Sequence, residues 1–510
     1  MNDGEHTVRR PAVMRQTRWL ALVILCLGDL MIVLDVTIVG VALPTIRSDL
    51  GFSANSLAWV VNAYLIVFGG FLLLAGRLGD LFGHRRLFLV GIALFTVASL
   101  GCGLASSKGV LVGARAIQGL GAATVSAVAL SLMIMLFTEP AERAKAMGIF
   151  GFVASGGGSL GVLLGGILTD ALNWHWIFLV NVPIGLAVMA LSLRLIPDER
   201  AAVGARRVDV AGAAAVTAAL VIAVYAIVNG NEVGWTTLRT LGLLAASATF
   251  VAIFLGIEAR VRAPLVPLRL FRLRNIAVSN AVGVLWSGGM FAWFFLTALY
   301  LQLVLGYSPL EVGLAFLPGN LAMGAMSIGL SARLVTRFGI RPPLSAGLLL
   351  AALGLLLLAG APVDGDFVVD VLPSMILLGL GAGTAFNPVL LAAMSDVEPS
   401  EAGLASGVVN TSFMMGGALG LAVLATLAAS RTNALDADGD GRLAALTGGY
   451  HLAFLVGAIF AVAAAALSAL LRPAQTGQAA DEVKGAAVGE PAPCSPFSAG
   501  KRPGTAPDLA

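Results

Sequence analysis

The sequence predicts an all-α integral membrane protein of fourteen spanning helices, arranged as six, two and six. Three observations predict it. Hydrophobic residues fill 58% of the 510 positions and charged residues only 12%, against about 25% charged in soluble domains, so most of the surface must face lipid. Fourteen stretches approach the roughly 20 apolar residues that a bilayer core requires. Short motifs also recur in the same order at nearly one offset, dividing the chain into two related halves.

The fourteen stretches are 19–41, 57–76, 87–105, 110–133, 146–168, 175–195, 210–228, 239–257, 277–301, 310–330, 343–361, 371–394, 404–428 and 450–471. Several contain Gly or Pro, which membrane helices tolerate. Residues 1–18 form an N-terminal tail, 19–196 the first six spans, 197–275 a two-helix insert with its flanking loops, and 276–472 the last six. The tail 473–510 is rich in Ala, Gly and Pro and reads as disordered. The first span is expected to stay uncleaved, because it is long for a signal peptide and Asp29 and Asp35 interrupt it. Of 31 Lys and Arg, only Arg47, Lys108, Arg239, Arg431 and Arg442 fall in segments on one side, and Arg115 lies inside a span. The other 25 lie on the opposite side, which the positive-inside rule makes cytoplasmic, together with both termini.

The repeat fixes the grouping. GRLGDLFGHRR (76–86) aligns with ARLVTRFGIRP (332–342), and GLGAAT (119–124) with GLGAGT (379–384). EPAE (139–142) aligns with EPSE (398–401), and GGSLG (157–161) with GGALG (416–420). The offsets are 256, 260, 259 and 259. They pair spans 2, 4 and 5 with spans 10, 12 and 13 and leave spans 7 and 8 as the insert. Parallel halves about an axis along the membrane normal describe a transporter architecture with its sites between the halves.

Each element then carries its own candidates. Asp29 lies ten residues into the first span, about 15 Å deep, and Asp35 about 9 Å from the other end. The two are about 120° apart around the helix and do not share one site. Arg115 lies about 8 Å down the fourth span from the same side as Asp35, so Asp35 and Arg115 match in depth. Ionisable groups at membrane depth default to function. A carboxylate that gains and loses an arginine partner between two conformations is a proton carrier. Asp35 is therefore the expected proton site, tuned by Arg115; a permanent structural pair is the plainer reading. Asp29 is a second proton site, a dock for cationic cargo, or a buried neutral acid. Gly76, Asp80, Gly83, Arg85 and Arg86 form the tight link between spans 2 and 3. There Asp80 is expected to pair with a neighbouring Arg or a helix N-terminus, as a gate that holds one conformation. Plain topology anchoring would also place basic residues here. Thr336 replaces Asp80 in the second copy.

Asn62, Tyr64, Asn181, Gln302 and Asn387 are candidates for a cavity lining, or for bonds between helices. The aromatic run WSGGMFAWFFLTALY (286–300) offers packing or stacking surface. Gly157, Gly161, Gly165 and Gly166 permit close helix packing in the fifth span. Each EP-x-E motif is placed to begin a helix. Cys26, Cys102 and Cys494 give neither ligand spacing nor a disulfide framework, and His84 and His175 lack ligand partners. No metal and no cofactor is expected.

The chain resembles the major facilitator superfamily, and within it the fourteen-helix drug:proton antiporters, over roughly residues 15–472. GRLGDLFGHRR is similar to the superfamily's loop signature, and LDVTIVGVALP (34–44) to the first-helix motif, with Gly40 where Asn is usual. RAIQGLGAA (115–123), WHWIFLVNVPIG (174–185) and YLQLVLGYSPLEVGLAFLP (300–318) also resemble the family. GVLLGG (161–166) resembles the fifth-helix antiporter motif, with Val162 in place of Pro, and SFMM (412–415) lacks the usual Arg-Gln pair.

The resemblance implies a proton-coupled antiporter that exports hydrophobic or cationic, antibiotic-like compounds from a bacterial plasma membrane by alternating access. A proton-coupled transporter of one endogenous metabolite is the alternative. One charge crossing 100 mV supplies about 2.3 kcal/mol, and the sequence holds no GxxxxGK[ST] motif for an ATP-driven pump. No clustered nucleophile, base or metal set points to an enzyme. The expected partners are a small-molecule substrate, protons and the lipid bilayer, with no nucleic acid.

Overall fold

The computed structural model describes residues 12–137, 139–196, 209–261, 264–397, 402–439 and 441–472. The N-tail up to residue 11, the 197–208 loop, EPSE at 398–401 and the tail from 473 lie outside the described residues.

The described chain is helical almost throughout, as a backbone without water must be, because a helix satisfies its own N–H and C=O groups. The helices are α1 (Ala12–Leu50), α2 (Trp59–Phe82), α3 (His84–Gly103), α4 (Lys108–Leu136), α5 (Pro140–Ala171) and α6 (Trp176–Leu195). Residues 210–258 supply α7 (Val210–Val233) and α8 (Leu238–Glu258). Then follow α9 (Arg274–Leu303), α10 (Pro309–Ala325), α11 (Arg341–Leu358), α12 (Leu372–Met394), α13 (Ala402–Ala437) and α14 (Arg442–Ser468). Among the described residues, twelve helices are long and apolar enough to cross a membrane. The expected spans 146–168 and 310–330 fall on α5 and on α10 with its continuation.

Local chemistry sets the helix ends. Ser107 caps α4 by accepting from Val110 N, and Asp209 caps α7 by accepting from Gly212 N. Ser308 and Glu311 form a reciprocal capping box at α10, with Pro309 in the first turn. Pro140 follows Glu139 at the start of α5, so EPAE does open a helix. Pro318 lies inside α10, a π-turn follows at Met326–Leu330, and a short helix Ser331–Phe338 completes the rod. Gly83 alone links α2 to α3, at φ +92°, and Gly339 turns the matching corner at φ +80°. Only glycine adopts such backbone readily.

The packing repeats with the sequence. Helix α2 packs on α4, α3 on α4, α1 on α5 and α3 on α6; α10 packs on α12, α11 on α12, α9 on α13 and α11 on α14. The two sets meet through α5 against α10, α2 against α13 and α1 against α9. Helix α7 reaches both sets, lying against α2 and α13, and α8 packs on α7 with most of its surface exposed. Several helices outrun the apolar stretches that announce them. Residues 429–437 continue α13 and 442–449 begin α14, so Arg431 and Arg442 stand on helices rather than in a loop.

Candidate functional site

The densest polar cluster lies inside α1–α6. Asp35 is fully buried on α1, and Arg115 on α4 is 1% exposed. Arg115 Nη1 donates to Asp35 Oδ2 at 2.5 Å. Gln118, one turn along α4, donates from Nε2 to Asp35 Oδ1 at 2.6 Å, and Asn181 Nδ2 donates to the same oxygen at 3.2 Å. Arg115 also donates from Nε to the Val60 carbonyl at 2.9 Å and from Nη1 to Gln118 Oε1 at 2.7 Å. Gln118 Nε2 donates to Ser99 Oγ at 2.8 Å, and the Ser99 hydroxyl donates to the Phe95 carbonyl at 2.8 Å. The guanidinium lies 4.4 Å from the Tyr64 ring centroid and 5.7 Å from that of Phe178. Five helices thus converge on one carboxylate.

The arrangement follows from ordinary packing rules. Residues three apart on a helix share a face, which puts Arg115 and Gln118 together. Gly157, Gly161 and Gly165 recur every fourth residue on α5 and seat α1. A Cβ at Gly165 would lie 2.7 Å from the Ile38 carbonyl oxygen, and one at Gly157 2.9 Å from Leu30. The glycine face thereby sets the depth and rotation of the segment carrying Asp29 and Asp35. Gly166 turns the other way, and a Cβ there would meet the Pro309 carbonyl of α10 at 2.7 Å.

Chemically, the cluster is a carboxylate whose two oxygens are held by a guanidinium and two amides. Removing the guanidinium would leave a buried charge that must find another counter-charge or take a proton. Asp29 lies outside this cluster, as its rotation around α1 predicts. It is 7% exposed, and Ser126 on α4 donates to its Oδ1 at 3.3 Å.

The remaining sequence candidates separate. Asn181 and Tyr64 belong to the Asp35–Arg115 cluster. Asn62 is fully buried, and neither atom of its amide has a hydrogen-bond partner among the described residues. Gln302 Nε2 donates to the Val41 carbonyl at 2.8 Å, joining α9 to α1. Asn387 Nδ2 donates to the Ser327 carbonyl at 3.2 Å, at the π-turn after α10. In the α2–α3 link, the partner of Asp80 among the described residues is His84, at 3.4 Å, where the sequence suggests an arginine or a helix N-terminus. The two are four residues apart, on either side of the Gly83 corner, which is the shorter reach. Arg85 Nη2 donates to the Leu193 carbonyl at 2.5 Å and ties the link to the end of α6; Arg86 follows it in the first turn of α3. Gly76 faces Ala127 of α4. Sequence reasoning did not single out Gln118 or Ser99. Gln118 had a readable signal, one turn from a membrane-embedded arginine.

The model of the Major Facilitator Superfamily matches residues 25–421. The chain belongs to that superfamily. It is a multi-pass membrane transporter and not an enzyme. It is similar to the puromycin resistance protein pur8 of Streptomyces alboniger, with 40% identity over 92% of this chain and 94% of that one. It is also similar to the cephamycin export protein CmcT of Amycolatopsis lactamdurans, with 38% identity over 88% and 92%. The tetracenomycin C resistance and export protein of Streptomyces glaucescens shows 35% identity over 82% and 77%. Among solved structures, a point mutant of the nucleoside transporter NupG aligns at a TM-score of 0.62 with 11% identity, covering 89% of this chain and all of that one. That likeness shows the fold.

Proposed function

We propose that this superfamily member is a proton-coupled antiporter that exports hydrophobic or cationic drugs or antibiotics by alternating access. The observation that carries the proposal is the buried Asp35–Arg115 pair, in a transporter whose relatives bear the names of resistance and export proteins. In this reading the chain has fourteen spans as six, two and six, with both termini cytoplasmic in a bacterial plasma membrane. The halves are 19–196 and 276–472, and 197–275 is the insert. Asp35 takes up a proton when the rearranging halves draw Arg115 away, and releases it when the pair re-forms. Asp29, bonded by the Ser126 hydroxyl, docks a cationic group of the cargo or carries a second proton. The α2–α3 link, with Gly83 as its corner and Asp80, His84 and Arg85 as its bonds, holds one of the two conformations. Gly166 of α5, against the Pro309 backbone of α10, is a point on which the halves turn.

The test uses inverted vesicles containing the full chain, an imposed inside-acid gradient and a pH-sensitive dye. Lipophilic cations and antibiotics should evoke proton release, and Asp35→Asn should abolish it while compound binding persists. Release that survives Asp35→Asn would remove Asp35 from the coupling step. No release with any compound would move the assignment to a transporter of one endogenous metabolite.

A further inference from the structure

We propose that one face of α8 is a binding site for a single anionic phospholipid, with the phosphate on Arg260 and an acyl chain laid along the helix. The site lies apart from the Asp35–Arg115 cluster and does not depend on proton coupling. In the orientation proposed above, it belongs to the cytoplasmic leaflet.

The sequence lays out the face. Thr249, Ala252, Ile253, Gly256, Ile257 and Arg260 line an open groove of about 600 Å³, within the roughly 300–1,000 Å³ of ligand sites. Spacings of three and four put them on one face of a helix. At 1.5 Å per residue the face from Thr249 to Arg260 is about 16 Å long. That is half of the roughly 30 Å of a bilayer's hydrocarbon, so the groove has the length of one leaflet. Ala252 and Gly256 leave it hollow, and Ile253 and Ile257 give it apolar walls. The Thr249 hydroxyl donates to the Ala245 carbonyl at 2.8 Å, which leaves its methyl for the groove. Ser247 lies on the other side of α8 and donates to the Ala219 carbonyl of α7 at 2.8 Å. The groove therefore looks away from the bundle, toward lipid.

The charge stands at one end of this track. A Cβ at Gly256 would lie 3.7 Å from Arg260 Nη1. The guanidinium thus leans back over the groove, in the direction that helical side chains take. Among the described residues it has no hydrogen-bond or ion-pair partner. The neighbouring acid does not neutralise it: Glu258 is 3% exposed and accepts from the Val266 backbone N–H at 3.2 Å. Residues 259–274 hold five arginines and no acid. An unpaired cation at the edge of a span, above an apolar track one leaflet deep, is complementary to a lipid with an anionic headgroup. Free phosphate would use the guanidinium alone; a phospholipid uses the guanidinium and the groove together.

Dioleoyl phosphatidylglycerol and dioleoyl phosphatidylcholine are matched probes, because they share their chains and differ in net headgroup charge. Native mass spectrometry of the detergent-solubilised full chain should show the first phosphatidylglycerol binding more tightly than phosphatidylcholine. Arg260→Gln should weaken phosphatidylglycerol about fivefold, the equivalent of roughly 1 kcal/mol per arginine at a membrane surface, and leave phosphatidylcholine unchanged. Gly256→Leu fills the groove and keeps the charge; it should weaken both lipids together. Both changes lie on a lipid-facing surface and should leave the thermal unfolding curve in place. Glycerol phosphate, which lacks the chains, should not displace the bound lipid. Equal binding of the two lipids to the wild type, or a preference that survives Arg260→Gln, would overturn the assignment of the phosphate. Binding indifferent to Gly256→Leu, or displacement by glycerol phosphate, would overturn the groove. Neither cargo nor gradient enters the measurement, so failure here is distinct from failure of the proton-release test.

Discussion

Asp35 and Arg115 hold each other where neither meets water, so each is the other's main reason for being charged. Removing one partner of a buried pair destabilises by about 3–5 kcal/mol, whereas replacing both is often neutral. Arg115→Gln alone is therefore expected to lower the thermal midpoint of the purified protein sharply, and Asp35→Asn with Arg115→Gln should recover much of the loss. A midpoint indifferent to the single change would mean that the Asp35 carboxylate has no need of the guanidinium. Gly83 makes a second residue-scale prediction. At φ +92° and ψ 130°, alanine is expected to cost about 1–3 kcal/mol, read as a drop in the same midpoint. The pair was legible because two opposite charges at similar depth stand out in apolar sequence. Gln118 and Ser99 were not singled out, since a polar amide or hydroxyl in a membrane helix is common and says nothing alone about its partner. Asp80 met His84 because both lie on the same short stretch, a choice that spacing permits but does not compel.

At the scale of elements, α5 shows how small residues decide a surface. Its Gly157, Gly161 and Gly165 admit α1, and Gly166 admits the backbone of α10. With Val162 in place of proline, α5 runs unbroken from Pro140 to Ala171. The irregular backbone lies across the seam, at the π-turn that follows α10. Gly166→Leu places atoms where the Pro309 and Leu310 backbone now stands. The expected result is normal membrane expression with transport reduced at least tenfold, measured as export from loaded cells; unchanged export would mean that the α5–α10 contact opens without consequence. Helix existence was readable from hydrophobic runs alone, while helix ends were not. Polar turns such as 429–437 and 442–449 extend α13 and α14 because hydrogen bonding along a helix does not stop where hydropathy does.

Across the whole molecule the two related sets have diverged in chemistry. At the repeat offset of 260, Arg115 corresponds to Met375 and Gln118 to Leu378, both fully buried. The ionic cluster thus has no counterpart there, and the later helices carry aromatic surface instead. The repeat was visible in four short motifs; the placement of the insert was not, because no local pattern tells a helix which neighbours it will touch. Helix α7 sets Thr217 against Gly70 of α2 and donates from Asn231 Nδ2 to the Thr426 carbonyl of α13 at 2.9 Å, with Trp235 Nε1 donating to the Asn231 Oδ1 at 2.9 Å. Behind it, α8 presents 21 mostly exposed residues to the surroundings, about 32 Å of helix, close to the thickness of a bilayer's hydrocarbon. A thinner or thicker bilayer tilts such a helix, and α8 hangs on the one helix that grips both sets. A tilt of α8 is therefore expected to reach α2 and α13 through α7. Transport in vesicles of short-chain and long-chain lipids is expected to differ severalfold for the wild type, and the difference should shrink in Asn231→Leu, in which α7 loses its hydrogen bond to Thr426.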